Sequence, residues 1–298
     1  MEYDNFIDLK ISDDGISQGG NYRDIKISGD GVINGDVNCR SISVSGDADL
    51  NGNIYCDELF KVSGDVNIKN SLECGMMKVS GDVDIHESLL IKEEFKASGD
   101  VNVDGRVICK DFRVSGDVDI KSDLECSELL HLSGDAKIEG NLKGNRIEVS
   151  GDIESNGKIT GCDIYVSGDI DVKNGIEGEK ITLRGDTNSD GLINGDEIYI
   201  SMEGNHHIKE IGGRFVAVTE SISNNGTIMS LFTNRIKKRG SLQCQCIEGD
   251  EVLLKNSKVD IVRGKNVTIG KGSVIGRVEY SGELIIEENG VVTESVKM

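Results

Sequence analysis

The chain has 298 residues, 37% of them apolar but only 4% aromatic, with no proline and no tryptophan. A formal charge of −20 argues against nucleic acid, whose phosphates it would repel, and against broad contact with anionic lipid. No apolar run approaches the length of a membrane-spanning helix, and the absence of proline suits a backbone whose N–H groups are nearly all paired.

Residues 1–20 carry Glu2, Asp4, Asp8, Asp13 and Asp14 and do not read as a signal peptide. They are expected to form a flexible amino-terminal arm. From 21 to 200 a repeat takes over. Ser-Gly-Asp occurs nine times and Arg-Gly-Asp once, starting at Ser28, Ser45, Ser63, Ser80, Ser98, Ser115, Ser133, Ser150, Ser167 and Arg184, at spacings of 17 or 18. So short a period holds neither a helix pair nor a propeller blade, which makes each copy one coil of a β-solenoid.

Counting from the first residue of the tripeptide, apolar side chains fall at offsets 3 and 5, 9 and 11, and about 14 and 16. In the coil from Ser98 these are Val101 and Val103, Val107 and Cys109, Phe112 and Val114. Two residues apart along a strand means one shared face, so each coil has three short strands around a triangular core. The corners are the tripeptide, a turn near offset 7 that is often glycine, and a polar turn near offset 12. The eighteenth residue of the longer coils falls between offset 11 and the next tripeptide.

Cys39, Cys56, Cys74, Cys109 and Cys126 all occupy offset 11, where Ile91, Gly144 and Gly161 stand in other coils. A slot that also accepts Ile and Gly reads as core rather than as metal or disulfide. Cys162, Cys244 and Cys246 lie off it, and eight thiols without a secretion signal favour a reducing cytoplasm. The tripeptide aspartates should form a column whose mutual repulsion, roughly 1 kcal/mol per neighbour in water, needs an offset; turn N–H groups are the expected partners.

Asp186 to Glu197 matches the twelve-residue EF-hand pattern, with Asp186, Asn188, Asp190 and Glu197 as candidate calcium ligands and Gly191 at the bend. Its flanks look strand-like, so the alternative is a repeat with a small corner insertion and no cofactor at all. Residues 201–240 blur the repeat and are expected to be irregular. There Leu231 and Phe232 precede Arg235, Lys237, Lys238 and Arg239, a combination suited to a membrane surface or an acidic partner if it is not simply a solvated loop. Tripeptide-like turns return at Glu248-Gly249-Asp250, Arg263-Gly264-Lys265 and Ser281-Gly282-Glu283, so solenoid coils are expected over 241–298, continuous with the first array.

The stretches Glu210-Ile211-Gly212-Gly213, Ile247 to Val252, Val259 to Gly270 and Ile275 to Tyr280, with the opening coil from Arg23 to Gly29, resemble the bactofilins, in particular the longer polymer-forming cytoskeletal proteins of Gram-positive bacteria. The resemblance implies an all-β, right-handed triangular β-helix that joins end to end into nonpolar, nucleotide-independent filaments. It places them in the cytoplasm, often at the membrane, scaffolding cell-shape or envelope machinery. The implied partners are the chain itself, a paralogous bactofilin and membrane-associated or envelope proteins, with no small-molecule substrate.

Two other classes compete. A left-handed hexapeptide acyltransferase would need a regular 18-residue turn and a catalytic histidine, but of His86, His131, His206 and His207 the first two sit at coil edges with no recurrent carboxylate partner, which points away from an enzyme. A calcium-binding surface adhesin is suggested by Arg184-Gly185-Asp186, although that tripeptide is the tenth repeat turn. For a filament, the ends of the solenoid are the contacts, because a terminal coil presents unpaired backbone above an apolar core. The sequence places them at Ile25, Ile27, Val32 and Ile33 on one end and at Leu284, Ile285, Ile286, Val291 and Val292 on the other.

Overall fold

The computed structural model describes residues 3–220 and 240–298. Apart from a single 3-10 turn at Tyr3–Asn5, the regular elements among them are strands, and these pair in parallel as a β-solenoid. The chain forms two compact units, Met1–Asn145 and Arg146–Met298. The division falls inside the stretch that reads in sequence as one array.

In the first unit the three apolar rows are laid down as the spacing requires. Val66, Val83, Val101 and Val118 stack in one row, and Leu72, Leu89, Val107 and Leu124 in a second. Met77, Phe95, Phe112 and Leu130 make the third. All are buried, and the Phe95 and Phe112 rings stack at 4.9 Å between centroids. Each such aliphatic side chain contributes about 1.5–3 kcal/mol by leaving water, so the narrow core is held by many modest terms.

The tripeptide is explained by how closely its corner stacks. A Cβ on Gly46 would lie 2.6 Å from the carbonyl oxygen of Gly29 in the coil below, so only glycine fits. The aspartate that follows caps the corner of the next coil: Asp65 accepts from the Asp82 N–H at 2.9 Å, Asp82 from Asp100 at 2.9 Å and Asp100 from Asp117 at 2.9 Å. The expected N–H partners exist, one coil along. A second column not foreseen in the sequence does the same at offset 8, where Asp36 accepts from the Asn53 N–H at 2.8 Å and Asp123 from Asn141 at 2.7 Å.

The expected arm is structured over much of its length. Leu9–Ile11 and Gly15–Ile27 are strands; Leu9 pairs with Ile25 and Ile11 with Ile27, and Gly15–Ile27 pairs along Gly31–Val44. Leu9 and Ile11 have the two-residue spacing of a core pair, but no tripeptide marks the turn that follows. The first coil is therefore one turn earlier than the repeat suggests.

In the second unit, Thr187–Ser201, His206–Thr219, Leu242–Leu254 and Ser257–Ile269 are long strands running through a corner. His206–Thr219 pairs with Thr187–Ser201 on one side and Leu242–Leu254 on the other, so the part of 201–240 that is described is regular rather than irregular. Met202 N donates to Thr219 O at 2.8 Å and Gly240 N to Met202 O at 2.9 Å, so the chain on either side of 221–239 meets at one corner.

The tripeptide-like turns of 241–298 serve a different corner from the one expected. Gly249 and Gly264 continue the column Gly178, Gly195 and Gly213, which is the offset-11 slot. Glycine is needed there for the same reason, a backbone close to the backbone below, so the residue pattern does not say which corner it marks. The true counterpart of the tripeptide corner in these last coils is a single left-handed residue per turn: Asn256 (φ 47°), Gly272 (φ 77°) and Asn289 (φ 67°). Between Leu254 and Ser257 that corner is two residues rather than three, and Leu242 pairs with Ser257, only fifteen residues on.

Candidate assembly faces

The last described coil is made by Leu284–Ile286 and Val291–Lys297. Leu284–Ile286 pairs with Val267–Ile269, Val291–Lys297 pairs with Val274–Tyr280, and among the described residues no strand covers their other edge. Ile286 continues the inward column of Leu254 and Ile269, both fully buried, yet it is 47% exposed. Leu284 continues Val252 and Val267, and Val292 continues Val259 and Ile275, in the same way. These three side chains are the top of an unfinished core. Ile285 and Val291 are also exposed, but they extend the outward columns of Thr268 and Val274 and so face the flank.

At the other end the sequence-based choice moves by one coil. Ile25, Ile27 and Ile33 are buried, the first two beneath Leu9–Ile11, and Val32 alternates with the core residues Gly31 and Ile33 and points outward. Leu9 and Ile11 are the outermost described apolar pair, but Leu9 is half-buried and Ile11 buried, so they are not an open core face like Ile286. This coil is tied down by Arg23, whose guanidinium binds Asp8 at 2.9 Å, while Asp24 is held by Arg40 and by the Ser41 hydroxyl at 2.7 Å. Those cations and hydrogen bonds hold the Asp8 and Asp24 carboxyls below the usual aspartate range. Leu9 and Ile11 had a readable signal, the i, i+2 spacing before Asp13-Asp14-Gly15.

The candidate calcium ligands are not gathered. Thr187–Ser201 passes through a corner, pairing first along Ile170–Val172 and then along Ile176–Leu183, and on its first stretch Asn188 and Asp190 are exposed and Ser189 is buried. Asp186 accepts from the Asn205 N–H at 2.8 Å, Asn188 donates to Asp171 at 3.3 Å, and Glu197 accepts from the Tyr199 hydroxyl at 3.1 Å. An EF-hand turns its ligands around a point, whereas an extended strand spreads them at about 3.3 Å per residue. Among the described residues no group of three or more His, Cys, Asp or Glu side chains is placed to hold a metal ion. Leu231, Phe232, Arg235, Lys237, Lys238 and Arg239 lie outside the described residues.

The cysteine slot is a buried row as read: Cys39 pairs with Cys56, Cys56 with Cys74, Cys74 with Ile91 and Cys109 with Cys126. All eight cysteines are free thiols. Burial pushes the Cys74 thiol well above its ordinary range and that of Cys244 up to about 12, so neither is an activated nucleophile. The histidines are scattered. His86 does have a carboxylate, Asp104, at 3.1 Å, but it is exposed; His206 is buried with Nε2 2.8 Å from the Ser201 carbonyl, and burial lowers its pKa.

Residues 57–160 match the family model described as Bactofilin: Polymer-forming cytoskeletal. Over those residues the chain is bactofilin-like. The match lies on the regular tripeptide coils rather than on the 210–280 stretch that first suggests the resemblance. Two proteins of Bacillus subtilis (strain 168), both named as uncharacterized, are similar. YhbF is 36% identical over 92 residues, 31% of this chain and 35% of its own length. YhbE is 35% identical over 95 residues, 32% of this chain and 38% of its own. The chain thus spans little more than a third of the length of these curated relatives. No solved structure matches. Among the described residues no helix is long and apolar enough to cross a membrane.

Proposed function

We propose that this chain is a structural protein that joins end to end, through its terminal coils, into cytoskeletal filaments. The observation that carries the reading is Ile286, an inward core residue that no further described coil covers and that is 47% exposed. Adding a second chain's terminal coil would continue both the hydrogen-bond ladder and the apolar rows. Assembly of this kind needs no nucleotide, since the free energy comes from burying an edge that already exists. The polymer-forming description of the matched family supports the same reading, and with it a scaffold for cell-shape or envelope machinery in the cytoplasm or at the membrane. Partners beyond the chain itself would be a paralogous bactofilin and envelope proteins. Catalysis forms no part of the proposal.

Electron microscopy of the purified protein tests it. Wild type should form filaments without added nucleotide, and Ile286→Lys with Val292→Lys should leave folded, unassembled chains, judged by an unchanged far-ultraviolet spectrum. Filaments of wild-type length from the double variant would refute the assignment of that end, and a wild type solitary at all concentrations would refute the function.

A further inference from the structure

One outward column of the first unit is basic in a chain whose net charge is −20. Lys61, Lys78, Lys96 and Arg113 are register partners in consecutive coils, so one cation stands per coil at a rise of about 4.8 Å. Like charges directly opposite on neighbouring strands repel. Compensation within the chain is thin: Lys78 reaches Glu94 only at 4.0 Å, and Arg113 reaches Glu94 at 3.6 Å and Asp111 at 4.0 Å. Among the described residues Lys61 and Lys96 have no ion pair.

Four residues after each cation comes the tripeptide carboxylate that opens the following coil, Asp65 after Lys61 and so on to Asp117 after Arg113. Each of these is exposed and spends an oxygen on one backbone N–H of the next coil. A stripe of cations therefore runs beside a stripe of carboxylates, both at one charge per coil.

We propose that this double stripe is a lateral docking surface for a second copy of the chain, cations against carboxylates. A second copy is the partner whose charges repeat at the same rise, so the match persists over four coils without adjustment. The geometry also sets the direction. A two-fold axis along the stacking direction places each cation stripe opposite the partner's carboxylate stripe, whereas a two-fold axis across it places like on like. The paired copies run parallel. Single exposed ion pairs are weak, but here they recur in series and count twice across the axis. The inference goes beyond end-to-end joining and stands independently of it.

The test uses the full chain at about 50 mM and about 500 mM salt, where the screening length falls severalfold. Electron microscopy reads width and sedimentation velocity reads mass. Paired rods are expected at low salt and single-width rods at high salt. Lys61→Gln with Lys96→Gln should weaken side-by-side pairing about tenfold at low salt, with an unchanged far-ultraviolet spectrum and unchanged filament length. Pairing that resists both salt and the substitutions overturns the proposal. So do single-width rods at both salt concentrations, including rods that instead co-sediment with phosphatidylserine vesicles. Length reports the end contact and width the lateral one, so the failure of either reading is told apart from the failure of the other.

Discussion

The two compact units solve the same corner in opposite ways. In the first, the offset-11 slot of most coils holds an inward cysteine, as at Cys74 and Cys109, with Ile91 and Gly144 in others. In the second it holds glycine beneath β-branched residues; a Cβ on Gly213 would lie 2.6 Å from the Gly195 carbonyl oxygen and 3.2 Å from Ile198 Cδ1. Register behaves accordingly. At the cysteine corner pairing slips by one residue: Cys39 meets Cys56 but Ser41 meets Leu59, and Cys56 meets Cys74 but Leu59 meets Met76. At the glycine corner it does not slip, since Gly178 meets Gly195 and Lys180 meets Glu197, Gly195 meets Gly213 and Glu197 meets Phe215. A corner filled by side chains has room for an extra residue, and one made of stacked backbone has none. The 17/18 alternation is thus a property of the cysteine corner.

That contrast breaks most visibly under insertion. One alanine placed after Asp196 would shift the rest of its strand by one residue and turn Ile198 and Ile200 outward, a loss of about 4 kcal/mol or more. The same alanine after Lys110 enters a corner that already absorbs such residues and should cost about 1 kcal/mol or less. Chemical denaturation of the two variants measures the difference, and equal losses would show that the corners are mechanically alike. A smaller effect is expected from adding a single carbon. Gly213→Ala forces backbone apart and should destabilise by about 1–3 kcal/mol, whereas Cys126→Ala only empties part of a buried slot and should cost about 1 kcal/mol. A Gly213→Ala variant as stable as wild type would remove the steric account of the glycine column.

How far the sequence carried this reading depends on which signal each element left. The rows were legible because alternate apolar residues at a fixed period have one physical solution, and the cysteine row followed from a slot shared with Ile91. The first coil was hidden because Leu9–Ile11 turns without a tripeptide, and this in turn misplaced the amino-terminal face onto the buried Ile25 and Ile27. The last coils misled in another way. Glycine at Gly249 and Gly264 answers close backbone approach at one corner just as Gly46 does at another, and sequence records the need for space but not its location. The Asp186–Glu197 pattern failed as a calcium loop for a related reason, because strand pairing on both sides of Thr187–Ser201 lays its residues along successive stretches of the coil instead of around one point.

The smallest expected effect compares the two terminal coils under acid. The first is clamped by Asp8 with Arg23 and Asp24 with Arg40; near the last, Glu279 accepts from Arg263 at 2.9 Å. All three carboxyls titrate below their ordinary values, chiefly because a guanidinium hydrogen-bonds to each. A depressed carboxyl adds stability that is present above its unfolded value, about 3.9 for Asp and 4.3 for Glu, and is lost as the pH falls through the lower folded value. Both coils should therefore hold at pH 5 and loosen only well below pH 4. Carbon-detected titration of the three carboxyls reads this directly. The two ends should differ in kind, because Leu9–Ile11 is a three-residue strand whose one described strand partner is Gly15–Ile27, whereas Val291–Lys297 spans seven residues and keeps its ladder. Amide protection at Ile11 should disappear with the protonation of Asp8 and Asp24 while that of Val296 survives the protonation of Glu279. Simultaneous loss at both ends would mean that the ion pairs, rather than ladder length, decide how firmly a terminal coil is held.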